Sequence, residues 1–350
     1  MKKRLFIIFL LFGMIAPINI CMAKSKENLT YVQRFNGKPV TDGSIQTYAH
    51  RASRGLLPEQ TMPAYIETLR LGTDYVDMDL GMTKDGVLVI THDLGLNPNL
   101  TRDKDDNWIT EAIPINSLTL KELQTYNVGK LKPGTEYGSF FPYQHSVDTK
   151  IPTLKSVVEY VKSKAGKNVG FQFEIKNDPT KPNMTPSPKE FASAIYKLMK
   201  EEDIIDITEI QSFDWRPLIE LKKLDSSIKI AALSDHTTEV MTDDEPGTWM
   251  AGMKPKDYNY SLPQMVKALG ADCWEPFEGD LTKNDLDEAR KLGLKVVVWG
   301  WPEVERSEFD YQAVQKMIDW KVDGIITDRP DILRGLLMSR SMYLPKSIDK

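Results

Sequence analysis

Short runs of alternating or continuous apolar residues recur along the chain, most of them separated by stretches with helical periodicity. The β-like runs are Ile45–His50, Asp74–Leu80, Val169–Ile175, Glu209–Phe213, Ile228–Leu233, Ala271–Pro276, Lys295–Trp299 and Asp323–Thr327. Between them lie amphipathic stretches such as Thr61–Leu71, Leu154–Lys164, Pro188–Glu201, Trp215–Leu224, Ser261–Leu269 and Asp285–Leu292. Alternation of this kind predicts βαβ units and a parallel sheet. Eight such strands match a closed (β/α)8 barrel of the α/β class better than an open sheet. One stretch breaks the rhythm. Thr83-Lys84-Asp85-Gly86 is a turn signal followed by another short strand, Val87–Thr91, and Asp-Gly between two β runs predicts a hairpin. Residues 93–150 are then rich in Asn, Asp, Pro, Gly and aromatics, with one helix-like piece, Leu118–Tyr126. They read as an insertion between the second strand and its helix, on the face where barrel enzymes carry their sites.

The first 23 residues have another character. Lys2, Lys3 and Arg4 precede an uncharged run, Leu5–Ile15, and small residues surround Ala23. This is the layout of a cleavable secretory leader, too short to span a bilayer, so we expect a periplasmic or secreted protein with no stable membrane anchor. The remaining residues, 24–350, form the barrel domain. Removing the leader leaves 42 basic residues against 50 acidic ones, a net charge of −8. That balance argues against nucleic acid as a partner. Of the two cysteines, Cys21 leaves with the leader. Cys273 stands alone in an apolar run, which excludes an intrachain disulfide and predicts a buried, inert thiol.

Strand parity points to the chemistry. In Val169–Lys176, Phe171, Phe173 and Ile175 share one face while Gln172, Glu174 and Lys176 share the other. In Asp74–Leu80, Tyr75, Asp77 and Asp79 oppose Val76, Met78 and Leu80. The apolar faces can pack on helices, so the polar ones must point into the barrel mouth. Asp77, Asp79 and Glu174 on neighbouring strands would make an all-oxygen site suited to a hard divalent cation, Ca²⁺ or Mg²⁺. The alternative is a set of strand-end acids capped by Arg or Lys. His50 ends the first strand beside Arg51, and His92 ends the hairpin strand beside Asp93. Two imidazoles at C-terminal strand ends can serve as general acid and base, and Arg51 can grip phosphate oxygens bidentately. His145, within the insertion, reads as part of a packed loop, and His236 as surface.

Taken in order, His50-Arg51, Pro58-Glu59-Gln60-Thr61, Gly72–Asp79, Thr83–Gly86, His92-Asp93, Glu174-Ile175-Lys176, Trp299 and Asp323–Asp328 resemble the glycerophosphodiester phosphodiesterase family across roughly 45–335. The leader resembles that of its periplasmic branch. The resemblance implies a TIM-barrel enzyme that hydrolyses small-molecule glycerophosphodiesters to glycerol 3-phosphate and an alcohol, with Ca²⁺ or Mg²⁺ as cofactor. It implies His50 and His92 as the acid/base pair and Arg51 and Lys176 on the phosphate. Asp77, Asp79 and Glu174 would hold the metal, Glu59 would touch the metal site or orient Arg51, and Trp299 would form a flat wall for the glycerol. Attack by the glycerol 2-hydroxyl, through a cyclic phosphate, is also implied.

Two positions depart from the family pattern. Asp77 stands where a glutamate is usual, one methylene shorter. Ala52 stands where a glycine follows His-Arg, so a left-handed backbone there would be strained. The nearest rival readings are a phospholipase D-like or phosphoinositide-cleaving barrel and a non-catalytic periplasmic phosphodiester-binding protein. An apolar rim on the insertion would suit lipid, and a narrow polar pocket a deacylated head group.

Overall fold

The computed structural model describes residues 35–239, 247–300 and 307–348. The leader expected over 1–23 lies outside them. The strands are β1 (Gln46–Ala49), β2 (Tyr75–Met82), β3 (Leu88–Ile90), β4 (Gly95–Leu96), β5 (Ile113–Pro114), β6 (Gly170–Ile175), β7 (Thr208–Ser212), β8 (Lys229–Ser234), β9 (Cys273–Pro276), β10 (Lys295–Trp299) and β11 (Gly324–Thr327). Strand order runs β1-β11-β10-β9-β8-β7-β6-β2, all parallel, and a direct β1–β2 pairing closes the ring. These eight strands are the ones expected, with ends shifted by one or two residues. The result is a TIM barrel.

Helices cover its outside, and their apolar stripes explain why. In Pro188–Glu201, Phe191, Ala192, Ile195 and Met199 are buried, the i, i+4, i+8 spacing of a single face. Ser187 and Glu190 start this helix with a reciprocal capping box. The outward strand residues Phe171, Phe173 and Ile175 join the same core.

The inward residues are polar through most of the barrel's depth, not at the mouth alone. In the lower layer Lys295 Nζ lies 2.7 Å from Glu209 Oε1, and Glu209 also accepts from Tyr48 and Tyr75 at 2.9 and 3.1 Å. The two tyrosine rings stack at 4.3 Å. Above them Gln172 donates to Glu275 and Gln211 to Asp77, at 2.7 and 2.8 Å. Cys273 is buried beside this layer, and burial pushes its thiol well up, in keeping with an inert group.

β3 pairs antiparallel with β2, Leu80 opposite Ile90, which is the hairpin read from Asp85-Gly86. The insertion adds the small antiparallel pair β4–β5 and a separate apolar cluster of Val89, Leu96, Ile115, Leu123 and Ile151. Its expected helix is shorter than the pattern implied, only Leu120–Leu123, although Thr119 and Glu122 cap it reciprocally. No described helix is long and apolar enough to cross a membrane.

Candidate active site

His50, Arg51, Arg54, His92, Glu174, Lys176, Phe213 and Trp299 line one cleft of about 210 Å³ at the C-terminal ends of the strands. Barrel topology brings these distant residues together. Ala49 pairs with Thr327, so His50 and Asp328 leave adjacent strands side by side. His50 Nδ1 hydrogen-bonds Asp328 Oδ1 at 2.7 Å, which leaves Nε2 as the free ring nitrogen. His92 repeats the pattern with Asp93 Oδ1 at 2.8 Å, and Asp93 is itself held by Asn97 at 2.6 Å. Burial pushes both imidazoles down. For His92 the charges of Arg51 and Lys176 add to burial, and its pKa falls to about 4.

Arg54 is buried and grips Asp328 with two parallel bonds of 2.9 Å. Its guanidinium carbon lies over the Phe141 ring, 4.5 Å from the centre, and it donates to the Tyr137 hydroxyl at 3.2 Å. Both aromatics belong to the insertion. Tyr137 also donates to Glu59, whose other oxygen accepts from Arg51 at 3.0 Å. Glu59 thus pairs with Arg51 on one oxygen and with Tyr137 on the other.

The loop carrying these groups is unusual. Arg51, Ala52 and Ser53 have φ of 45°, 61° and 64°. Ala52 thus adopts the left-handed backbone that favours glycine, and the loop holds that conformation despite the strain. Gly55 does not take over the bend. A side chain there would meet Arg329 at 2.3 Å, so its glycine serves close packing. The loop is held by Arg51 N–H donating to Asp77 Oδ2 at 3.1 Å, Gln60 N–H to Arg51 O at 3.0 Å, and a 2.7 Å Ser53–Thr68 hydroxyl contact.

The acids divide. Asp79 and Glu174 sit at paired register positions on β2 and β6 and face the mouth. Asp79 accepts from Gln60 at 2.5 Å and lies 3.4 Å from Arg51 Nε; its Oδ1 is 3.5 Å from Lys176 and has no hydrogen-bond donor. Burial opposes its ionisation, but Lys176, His92 and Arg51 outweigh burial and hold its pKa low. Glu174 contacts Lys176, and burial with the nearby Asp79 charge pushes its pKa well up. Asp77 lies one layer deeper, with one oxygen on Gln211 and the other on the Arg51 amide. Burial, then the Asp79 charge, raises it to about 8. Among the described residues no three of His, Cys, Asp and Glu stand as a ready-made metal cluster. The acids are capped, as in the alternative reading, but inside the barrel and not on an exposed rim. A buried carboxylate oxygen without a donor on Asp79, beside a Glu174 carboxyl whose ionisation burial and the Asp79 charge oppose, is nonetheless a pair that a hard cation would relieve.

Trp299 forms one wall. It donates to Glu275 O at 3.1 Å and packs edge-on to Phe213 at 5.5 Å. His145 is exposed and tied to Leu56 only by its backbone amide, not packed as the sequence suggested, and His236 is exposed beside Asp280 as expected. The sequence reading assigned no role to Asp328, Arg54, Tyr137 or Gln211. Asp328 could have been found by placing the ends of the first and last barrel strands side by side. Tyr137 and the Arg54 clamp had no signal, because the insertion has no periodicity to fix where its aromatics land.

A closed parallel barrel whose C-terminal mouth gathers two carboxylate-backed imidazoles and three cationic side chains is that of a TIM-barrel enzyme with an anion-receptive cleft. The model of the glycerophosphoryl diester phosphodiesterase family matches residues 50–332, and the chain belongs to that family. The glycerophosphodiester phosphodiesterase of Bacillus subtilis is 27% identical over 347 residues, 95% of this chain and 97% of the relative. A solved structure from Silicibacter pomeroyi with the same family description superposes with a TM-score of 0.76 at 26% identity, covering 88% of this chain and 98% of its own. A phosphodiesterase of Oleispira antarctica, solved with its product sn-glycerol-3-phosphate, shares the fold, with a TM-score of 0.60, 18% identity and coverage of 85% and 98%. Family membership makes this chain an enzyme, which sets aside the non-catalytic binding reading.

Proposed function

We propose that the protein hydrolyses glycerophosphodiesters to glycerol 3-phosphate and an alcohol by acid/base catalysis between His50 and His92. The observation that carries this is the presence of two imidazoles, each backed at Nδ1 by a carboxylate, in the lining of one cleft that also holds Arg51 and Lys176. Arg51 and Lys176 supply the positive field for the phosphate's non-bridging oxygens. His50, on the Trp299 side, takes the proton from the glycerol 2-hydroxyl as its oxygen bonds phosphorus; the Asp328 carboxylate stabilises the imidazolium so formed. His92 gives a proton to the alcohol oxygen as its bond to phosphorus breaks. The diester anion favours that protonated form, because it counters the Arg51 and Lys176 charges that add to burial in lowering the His92 pKa. Water then opens the cyclic phosphate with the two roles exchanged.

A divalent cation, Ca²⁺ or Mg²⁺, would be held by Asp79 and Glu174, and when bound it supplies Lewis-acid stabilisation of the same oxygens. Asp77 and Glu59 support the site by fixing the Arg51 loop and the Arg51 side chain. The basic-then-apolar start over 1–23 supports export to the periplasm or beyond.

The test is glycerol 3-phosphate release from glycerophosphocholine by the wild type, with and without chelator, and by His50→Ala and His92→Ala. Each variant should lose at least about a hundredfold in rate, the lower range of what a positioned acid or base contributes. Melting temperature should barely move, because Arg54 continues to pair with Asp328. Near-full turnover in either variant would overturn the assignment.

A further inference from the structure

A second cavity, of about 640 Å³, opens beyond the catalytic cleft and shares His92, Glu174, Lys176 and Phe213 with it. Its walls come from three separate segments: Leu94 and Pro98 of the insertion, Met184 after β6, and Trp249 after β8, with Phe213 at the junction. That volume falls in the range of small-molecule sites. Only one end of the cleft is faced by Trp299, so a diester whose phosphate lies between His50 and His92 has its second substituent directed into this groove.

The lining says what that substituent is. Polar side chains at the groove are already engaged with protein. Asn97 donates to Asp93 at 2.6 Å and accepts from the Asn99 amide at 2.8 Å. Asn177 spends its amide on Thr185 and Pro186, at 2.9 and 3.0 Å, leaving a single buried carbonyl oxygen without a donor. Asp178 is taken by Thr180 and Lys181. A polyol would lose water hydrogen bonds here and recover few, and the charged lining is paired within itself, Lys176 with Glu174, Lys181 with Asp178 and His92 with Asp93, so it offers a charged substituent no uncompensated partner. Alkyl carbon would lose only water contact.

We infer that this groove binds the leaving alcohol of the diester and selects one with an apolar body, an alkyl or acyl chain, over a polyol. The inference rests on the diesterase reading above and adds its leaving-group class. Burying one methylene is worth about 0.8 kcal/mol, or about fourfold, and partial burial in an open groove lowers that to roughly twofold.

The experiment uses sn-glycero-3-phospho esters of ethanol, butanol and hexanol beside glycerophosphoglycerol, with the full-length protein. Two readouts are taken: kcat/KM, and binding followed by tryptophan fluorescence. Each added methylene should raise kcat/KM and affinity by roughly two- to fourfold, with the butyl ester preferred to glycerophosphoglycerol. Trp249→Ala and Met184→Ala should each compress the hexyl-to-ethyl ratio toward one. A flat series in the wild type, or preference for the glycerol ester, overturns the inference while leaving the diesterase reading intact. Affinity that climbs with chain length in a protein without turnover supports the groove and strikes the catalytic reading instead.

Discussion

Asp328→Asn separates what holds the barrel from what aims its chemistry. The substitution keeps the shape of the side chain and removes one charge from a site where Asp328 meets His50 at 2.7 Å and Arg54 twice at 2.9 Å. Arg54 is 1% exposed, so its guanidinium stays buried with no countercharge on that edge. Removing one partner of a buried ion pair costs about 3–5 kcal/mol. The amide carbonyl retains one of the two Arg54 bonds, which places the loss at about 3 kcal/mol, or roughly 4–5 °C in melting temperature for a domain of this size. The catalytic effect is of another kind. An asparagine can present its amide N–H to Nδ1, leaving the proton on Nε2, the nitrogen that accepts one in the proposed mechanism. A misassigned tautomer removes a general base, worth about 10²- to 10⁴-fold in kcat, while KM changes little because Arg51 and Lys176 are untouched. Steady-state kinetics on a glycerophosphodiester, run well below the variant's melting temperature, read the first quantity, and thermal denaturation reads the second. A variant that melts early yet keeps kcat within threefold of wild type would mean that Asp328 is a strut and nothing more.

Three further outcomes follow from buried charge. Glu209→Gln leaves Lys295 buried in the barrel without its counter-ion, so urea unfolding should show a loss of about 3 kcal/mol or more, with activity altered little while the protein stays folded. Arg54 and His50 overcome burial to hold the Asp328 carboxyl well below its ordinary value; a depressed acid stabilises above its unfolded pKa of about 3.9 and loses that contribution as pH falls. Chemical denaturation from pH 5 downward should therefore show a steep acid limb in wild type and a shallower one in Asp328→Asn; equal limbs would contradict it. Tyr137→Phe frees Glu59 and one edge of Arg54, and we expect KM to rise several-fold with kcat nearly kept, because Arg51 loses its fixed partner but remains charged.

The barrel was legible because period-two and helical patterns alternate from Ile45 to Thr327 everywhere outside the hairpin and the insertion. The inward acids of β2 and β6 followed from the same parity, and so did the positions of His50 and His92 at strand ends. What parity could not supply was depth. Asp77 and Asp79 share a face, yet only Asp79 reaches the mouth with Glu174; Asp77 sits a layer down, against Gln211 and the Arg51 amide. A sequence shows that two side chains point the same way, not which of them meets a neighbouring strand's glutamine first. The insertion was legible as an interruption and illegible in detail, since its turns carry no repeating period and its single predicted helix shrinks to one turn.

That insertion bears on how the family pattern tolerates Ala52. Three successive residues at positive φ cost of the order of 1–2 kcal/mol each, and such a loop persists only if its surroundings determine it more strongly than its own preferences do. Here the restraints come from opposite sides. Asp77 and Gln60 fix the backbone from within the barrel, while Phe141, Tyr137 and the Gln144 amide, which donates to Arg54 O at 2.7 Å, close over it from the insertion. The residues that strain the loop are also those that deliver His50 and Arg51 to the cleft. The same insertion lines the groove with Leu94 and Pro98. The insertion therefore touches both the loop that carries Arg51 and one wall of the proposed leaving-alcohol groove, so exchanging it between relatives should shift turnover and substrate preference together; a change in preference with turnover unaltered would contradict this.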